Sequence, residues 1–124
     1  MIESSIDLTS LGKKHGTDKA TTHAYTAIYQ NIFEPIRHKK MNVLEIGSGD
    51  TGASHKMWKD YFPNSEIYCI DPFHHVGMSQ NKNLIDELKN YGVKTFKGNQ
   101  LCKDDLSDFL EVNSVFFDII IDDA

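Results

Sequence analysis

Residues 42–52, Asn-Val-Leu-Glu-Ile-Gly-Ser-Gly-Asp-Thr-Gly, constrain this chain more than any other stretch, because a short apolar strand runs straight into a glycine-rich turn. Gly47, Gly49 and Gly52 form G-x-G-x-x-G, a spacing that lets the backbone turn tightly after a strand and come close to a ligand at the start of the next helix. The charges nearby narrow the ligand. Glu45 lies two residues before the first glycine, Asp50 lies inside the turn, and no Lys or Arg occurs between Met41 and His55. A pyrophosphate would be repelled in this setting, whereas a ligand bearing a sulfonium and an ammonium would be attracted. S-adenosylmethionine is such a ligand, so these residues favour a methyl donor over a dinucleotide.

The flanking sequence alternates between two periodicities. Val43 to Ile46, Glu66 to Ile70, Val93 to Lys97 and Val115 to Ile121 read as strands. Between them, Gly52 to Phe62, Asn81 to Tyr91 and Asp104 to Val112 read as helices. Ala53, Met57, Trp58, Tyr61 and Phe62 share one side of the first, and Leu106, Phe109 and Leu110 point inward from the third. Strict alternation implies an α/β fold, a Rossmann-like parallel sheet with helices on both faces, in the order 3-2-1-4 and ending after its fourth strand. Residues 1–40 form a helical lead-in and residues 41–124 the partial Rossmann-like domain. In the lead-in, Ser4 or Ser5 is expected to cap a short helix through Leu8 and Leu11 that ends near Gly12. Lys14 to Lys19 reads as a loop. A second helix runs from Thr21 or Thr22 to about Phe33, with Tyr25, Ile28, Tyr29, Ile32 and Phe33 as its core stripe, and Pro35 ends it.

In such a sheet, ligands bind outside the carboxyl ends of the strands where the order reverses. Gly47 to Gly52 follows the first strand, Asp71 the second, Asn99 and Gln100 the third, and Asp122 and Asp123 the fourth. Asp71, 19 residues after Gly52, is placed to accept the ribose hydroxyls of an adenosine, although an Asp before Pro72 is also an ordinary turn signal. Phe73, His74 and His75 either cover an adenine ring or form a solvated loop. Asn99 and Gln100 either pair with the adenine edge or make a polar turn. Two carboxylates at the end of a very apolar strand need a cation, either the donor's sulfonium and ammonium or a hard metal such as magnesium.

Other classes fit poorly. The net charge is −5, and residues 65–124 hold five basic against eleven acidic side chains, while Arg37 is the sole arginine, so nucleic acid is not an expected partner. The six histidines lack H-E-x-x-H spacing, and there is no G-x-S-x-G nucleophile elbow. Cys69 and Cys102 show no C-x-x-C spacing, which fits a reducing, cytoplasmic setting. The first ten residues lack the pattern of a signal peptide, and no apolar run approaches the ~18–20 residues of a membrane span. An NAD-binding dehydrogenase domain and a non-catalytic cofactor-binding module are the alternatives to a methyltransferase.

Residues 43–49, Gly52-Ala53-Ser54, residues 57–63 and Ile67 to Asp71 resemble class I S-adenosylmethionine-dependent methyltransferases, and in particular the macrolide-sugar O-methyltransferases of the mycinamicin and tylosin type. His15-Gly16-Thr17-Asp18-Lys19, Gly98-Asn99-Gln100 and Phe117 to Asp123 are similar to the same group. The resemblance implies that Glu45, Gly47, Gly49 and Asp71 hold the donor with Asn99 and Gln100 near adenine, although the family usually has Asp at the position of Asn99. It implies that the segment from His15 through Thr17, Asp18 and Lys19 closes over the methionine end; Gly52, from the glycine spacing, and Asp122, from its place at the strand end, complete the expected donor site. It also implies that Asp123 binds magnesium, which would position and acidify a hydroxyl of a small-molecule or sugar acceptor. The family continues past the paired Asp residues with a Ser, a His resembling the general base, and further strands. The expectation is therefore a cofactor-binding half that is inactive alone, whose fourth strand is an exposed apolar edge prone to self-association.

Overall fold

A computed structural model describes residues 7–17, 25–47, 52–71, 78–98, 103–113 and 116–122. Its elements, in chain order, are α1 (Leu8–His15), α2 (Thr26–Phe33), a 3-10 turn (Glu34–Ile36), β1 (Asn42–Ile46), α3 (Ala53–Tyr61), β2 (Glu66–Asp71), α4 (Met78–Asn90), β3 (Lys94–Lys97), α5 (Lys103–Asn113) and β4 (Ile119–Asp122). The four strands form one parallel sheet in the order β3-β2-β1-β4, the expected topology. The register sets Ile46 beside both Ile70 and Asp122, and Asp71 beside Lys97, so the carboxyl ends of the strands lie together.

Side chains alternate across the sheet because successive strand residues face opposite sides. Val43, Ile67, Cys69 and Ile121 join Met57, Trp58 and Tyr61 of α3, Phe62 just after it, and Leu84 and Leu88 of α4 in one core. Leu44, Tyr68 and Ile70 meet Phe109 of α5, together with Phe96 and Phe117, in the other. Leu110 is exposed rather than inward, while Phe109 of the same helix packs onto the sheet.

Several helix boundaries differ from the sequence reading: α2 starts at Thr26 rather than Thr21 or Thr22, α4 at Met78 rather than Asn81, and both ends of α1 move. The Asp7 carboxylate caps α1 by accepting the Thr9 amide at 3.2 Å, and the helix continues through Gly12 to His15. Gly16, at φ 82°, supplies the left-handed turn that Gly12 was expected to supply. In α2, Tyr29 and Phe33 face inward onto Trp58 and Phe62, with ring centroids 5.4–5.8 Å apart. Tyr25, Ile28 and Ile32 are exposed, so one row of the expected stripe packs and the neighbouring row does not.

Arg37 is buried and fastens the lead-in to α3. Its Nε donates to the Tyr61 carbonyl at 3.0 Å, and its guanidinium lies 4.8 Å from the Tyr61 ring centroid. The Tyr61 hydroxyl donates to Glu34 at 2.6 Å, and burial together with that carboxylate drives its pKa well up. Strand β4 is shorter than the apolar run 115–121. Asp118 precedes it, receiving the Asn42 amide on its carboxylate and donating its own amide to the Asn42 carbonyl, each at 2.9 Å. Among the described residues β4 is an edge of the sheet, with Ile120 59% and Phe116 93% exposed. No helix among the described residues is long and apolar enough to cross a membrane.

Candidate functional site

Strand β1 leaves the sheet at Gly47, whose φ of 96° demands glycine, and α3 begins after Gly52, at φ 64°. The Gly47 amide donates to the Ile70 carbonyl at 3.0 Å, which ties the start of the turn to β2. Gly52 is fixed a second way, since a Cβ there would lie 2.7 Å from Leu88 Cδ2. The turn therefore rises from two glycine-dependent ends, one on β1 and one against α4. Gly49 and Asp50 lie outside the described residues.

Glu45 is buried at the foot of this turn, not displayed on its surface. Ser54 Oγ donates to its two carboxylate oxygens at 2.8 and 3.1 Å, and Trp58 Nε1 donates to Oε1 at 2.9 Å. His55 Nε2 lies 3.2 Å from the Glu45 carbonyl oxygen; a carbonyl only accepts, so this nitrogen carries the proton. Its Nδ1 is buried with no hydrogen-bond partner, 3.9 Å from Glu45 Oε1. The sequence reading treated Trp58 as packing alone and gave Ser54 and His55 no separate role. The signal was present but thin, since only the fold brings positions 9 to 13 residues downstream back onto Glu45.

Asp71 ends β2 as a buried carboxylate, and its carbonyl accepts the Gly98 amide at 3.0 Å, joining the ends of β2 and β3. Cys69 lies between the two acids in effect as well as in sequence. Burial pushes its thiol pKa well up, and the charges of Asp71 and Glu45 push it the same way. The carboxyl ends of β1 and β2 thus lie in a negative field. Asp122 is exposed at the end of β4, in register with Ile46. Asp123, Asn99, Gln100, Phe73, His74 and His75 lie outside the described residues. No group of three His, Cys, Asp or Glu side chains suited to a metal occurs among the described residues.

On the N-terminal side, Thr17 is buried and its amide donates to the Gly12 carbonyl at 3.0 Å. Asp18 and Lys19 lie outside the described residues. His15 belongs to α1, where its Nε2 meets Asp60 Oδ2 at 2.7 Å. The Tyr91 hydroxyl donates to both Asp60 oxygens at 2.8 and 2.9 Å, and burial followed by the Asp60 contact pushes its pKa up to about 12. This three-residue cluster anchors the start of the 15–19 segment to α3 and to the turn after α4. Nothing in local spacing announced it, because its members come from three separate parts of the chain.

The arrangement suits a cationic ligand with hydroxyl groups to offer. Carboxylates attract positive charge and accept hydrogen bonds from a diol, and the glycine ends permit close approach of the backbone. It suits a pyrophosphate poorly for the same electrostatic reason.

No family model matches the chain. Several characterised proteins do. The chain is 32% identical to an 8-demethyl-8-(2-methoxy-alpha-L-rhamnosyl)-tetracenomycin-C 3'-O-methyltransferase of Streptomyces olivaceus, over 95% of this chain and 29% of that protein. It is 33% identical to the mycinamicin VI 2''-O-methyltransferase of Micromonospora griseorubida over the same shares, and 30% identical to the demethylmacrocin O-methyltransferase of Streptomyces fradiae, again over 95% and 29%. The chain thus spans about 29% of the length of these relatives.

Proposed function

We propose that this chain, similar over 95% of its length to sugar O-methyltransferases, forms the donor-binding part of an enzyme that methylates a hydroxyl of a small molecule, with S-adenosylmethionine as donor. The observation that carries the reading is the pair of buried carboxylates, Glu45 and Asp71, at adjoining strand ends beside a turn that begins and ends on left-handed glycines. The acceptor class is taken from the relatives: the names of two of them specify a position, 3' on a rhamnosylated tetracenomycin and 2'' on mycinamicin VI, and a sugar hydroxyl is the proposed nucleophile.

The donor, when bound, would supply an electrophilic methyl carbon on a sulfonium, transferable to an acceptor oxygen as the carbon–sulfur bond breaks and S-adenosylhomocysteine leaves. The residues of this chain bind and orient. Asp71 accepts from ribose hydroxyls, with Asn99 and Gln100 at the adenine edge. Gly47, Gly49 and Gly52 allow the backbone to approach. Glu45 and Asp122 supply negative charge toward the methionine end, and Thr17, Asp18 and Lys19 cover it from the N-terminal side. Magnesium at Asp123 is proposed on the family resemblance.

Thermal unfolding with saturating S-adenosylhomocysteine, set against NAD, tests the reading. A ligand that binds only the folded state adds ~2.7 kcal/mol at a hundredfold excess over its dissociation constant. A rise in the midpoint with S-adenosylhomocysteine and none with NAD is expected; a rise with NAD alone overturns the electrostatic reasoning.

A further inference from the structure

We infer that Ser54, His55 and Trp58 are positioning residues for the donor site, acting through Glu45 to hold the two feet of the glycine turn together. The inference rests on the donor-site reading for the identity of the ligand, and on the hydrogen bonds alone for the device itself. Glu45 belongs to β1 and stands two residues before Gly47; Ser54, His55 and Trp58 belong to the first turns of α3, just after Gly52. All three converge on Glu45, two on its carboxylate and one on its carbonyl, and all four residues are buried. The chain thus leaves the sheet and re-enters helix with its departure and return points cross-linked by three side chains.

The choice of residue types is specific. An aliphatic side chain at position 58 would fill the same core, yet here an indole places its one donor on Oε1 of a buried carboxylate. Ser54 contributes little volume, so its hydroxyl is its function: it donates to the same group at 2.8 Å. A buried carboxylate without such donors would carry a large desolvation cost. His55 completes the set by satisfying the carbonyl of Glu45, a strand-end acceptor.

The test uses amide hydrogen exchange resolved by NMR on the chain, together with calorimetric binding of S-adenosylhomocysteine. The reporting amides are Gly47, bonded to the Ile70 carbonyl, and Lys56, bonded to the Gly52 carbonyl. Lys39, bonded to the Ile36 carbonyl, and Glu66, bonded to that of Met41, serve as remote controls. Ser54→Ala and Trp58→Phe are each expected to speed exchange at Gly47 and Lys56 about tenfold, leave the controls unchanged, and weaken S-adenosylhomocysteine about tenfold, the usual scale for losing a hydrogen bond to a charged group. Ser54→Thr, which keeps the hydroxyl, is expected to restore both.

A folded Ser54→Ala variant with unchanged exchange at Gly47 and Lys56 overturns the inference. So does a loosened turn with unaltered affinity. Should Trp58→Phe fail to fold, Ser54→Ala carries the test alone, since it removes no core volume of consequence. If the unsubstituted chain ignores S-adenosylhomocysteine while Ser54→Ala still loosens the turn and spares the controls, the positioning device is supported and the donor reading is what falls.

Discussion

Gly52→Ala separates two physical effects that meet at one residue. At φ 64° an Ala pays the left-handed penalty, ~1–2 kcal/mol. Its Cβ would also lie 2.7 Å from Leu88 Cδ2, 3.1 Å from Leu88 Cγ and 3.2 Å from Leu84 Cδ1. Those are core side chains, and relieving such overpacking adds ~1–3 kcal/mol. The total, about 2–5 kcal/mol, is a large part of the ~5–15 kcal/mol stability of an ordinary domain. Gly16 provides the control. It has a similar left-handed φ, 82°, but a Cβ there meets nothing within 4 Å, so Gly16→Ala isolates the conformational part at ~1–2 kcal/mol. Urea unfolding followed by far-UV circular dichroism measures both. The expected result is a clear loss for Gly16→Ala and a loss at least 1 kcal/mol larger, on the order set by overpacking, for Gly52→Ala. Equal losses would refute the packing of α4 against the turn, and a neutral Gly52→Ala would refute its left-handed geometry as well.

Asp71→Asn keeps the shape of the side chain and removes its charge; we expect at least about tenfold weaker S-adenosylhomocysteine binding by calorimetry, with the circular dichroism spectrum retained. Stability is expected to fall as pH rises from the ordinary tyrosine value of 10 toward 12, because Tyr91 keeps its proton in the folded chain after the unfolded chain has lost it. Denaturant titrations across that range check this, and Tyr91→Phe should flatten the slope without abolishing it, since Tyr61 is shifted the same way. Ile120→Lys on the exposed edge strand is expected to lower the association of the chain in sedimentation velocity, and an unchanged profile that is already monomeric at high concentration would dispose of self-association through β4.

The topology was legible because strand and helix periodicities differ and neither was interrupted. Residues 43–46 and 66–70 contain strand-forming apolar runs, and the glycine turn between β1 and α3 left a parallel crossover as the economical solution. Local electrostatics were less legible. Glu45 was readable as an acid near a ligand turn, yet its burial and its bonds to Ser54, His55 and Trp58 depend on α3 folding back over β1, which no window of a dozen residues contains. The same holds for His15, Asp60 and Tyr91. Boundaries differ where two signals compete: Gly12 and Gly16 can each end a helix, and the left-handed cap forms at Gly16, whose amide donates to the Gly12 and Lys13 carbonyls. In α2, an apolar row at helical spacing was mistaken for a buried one, because periodicity shows that a face exists and not what covers it.

Trp58 shows how the lead-in and the site become one problem. Its ring packs against Tyr29 and Phe33 of α2 at 5.4 and 5.8 Å, while its indole N–H ends on Glu45 under the glycine turn. A shift of α2 against α3 would therefore move the donor of that hydrogen bond as well as an aromatic contact. The energies differ in kind. Ring packing is broad and tolerates small displacements, whereas a hydrogen bond weakens steeply with misalignment. Arg37 limits such movement from the other end of α3, since its bond to the Tyr61 carbonyl links the segment after α2 to the last turn of α3. The N-terminal helices consequently bear on the site through α3: they pack against the helix on which Ser54, His55 and Trp58 meet Glu45.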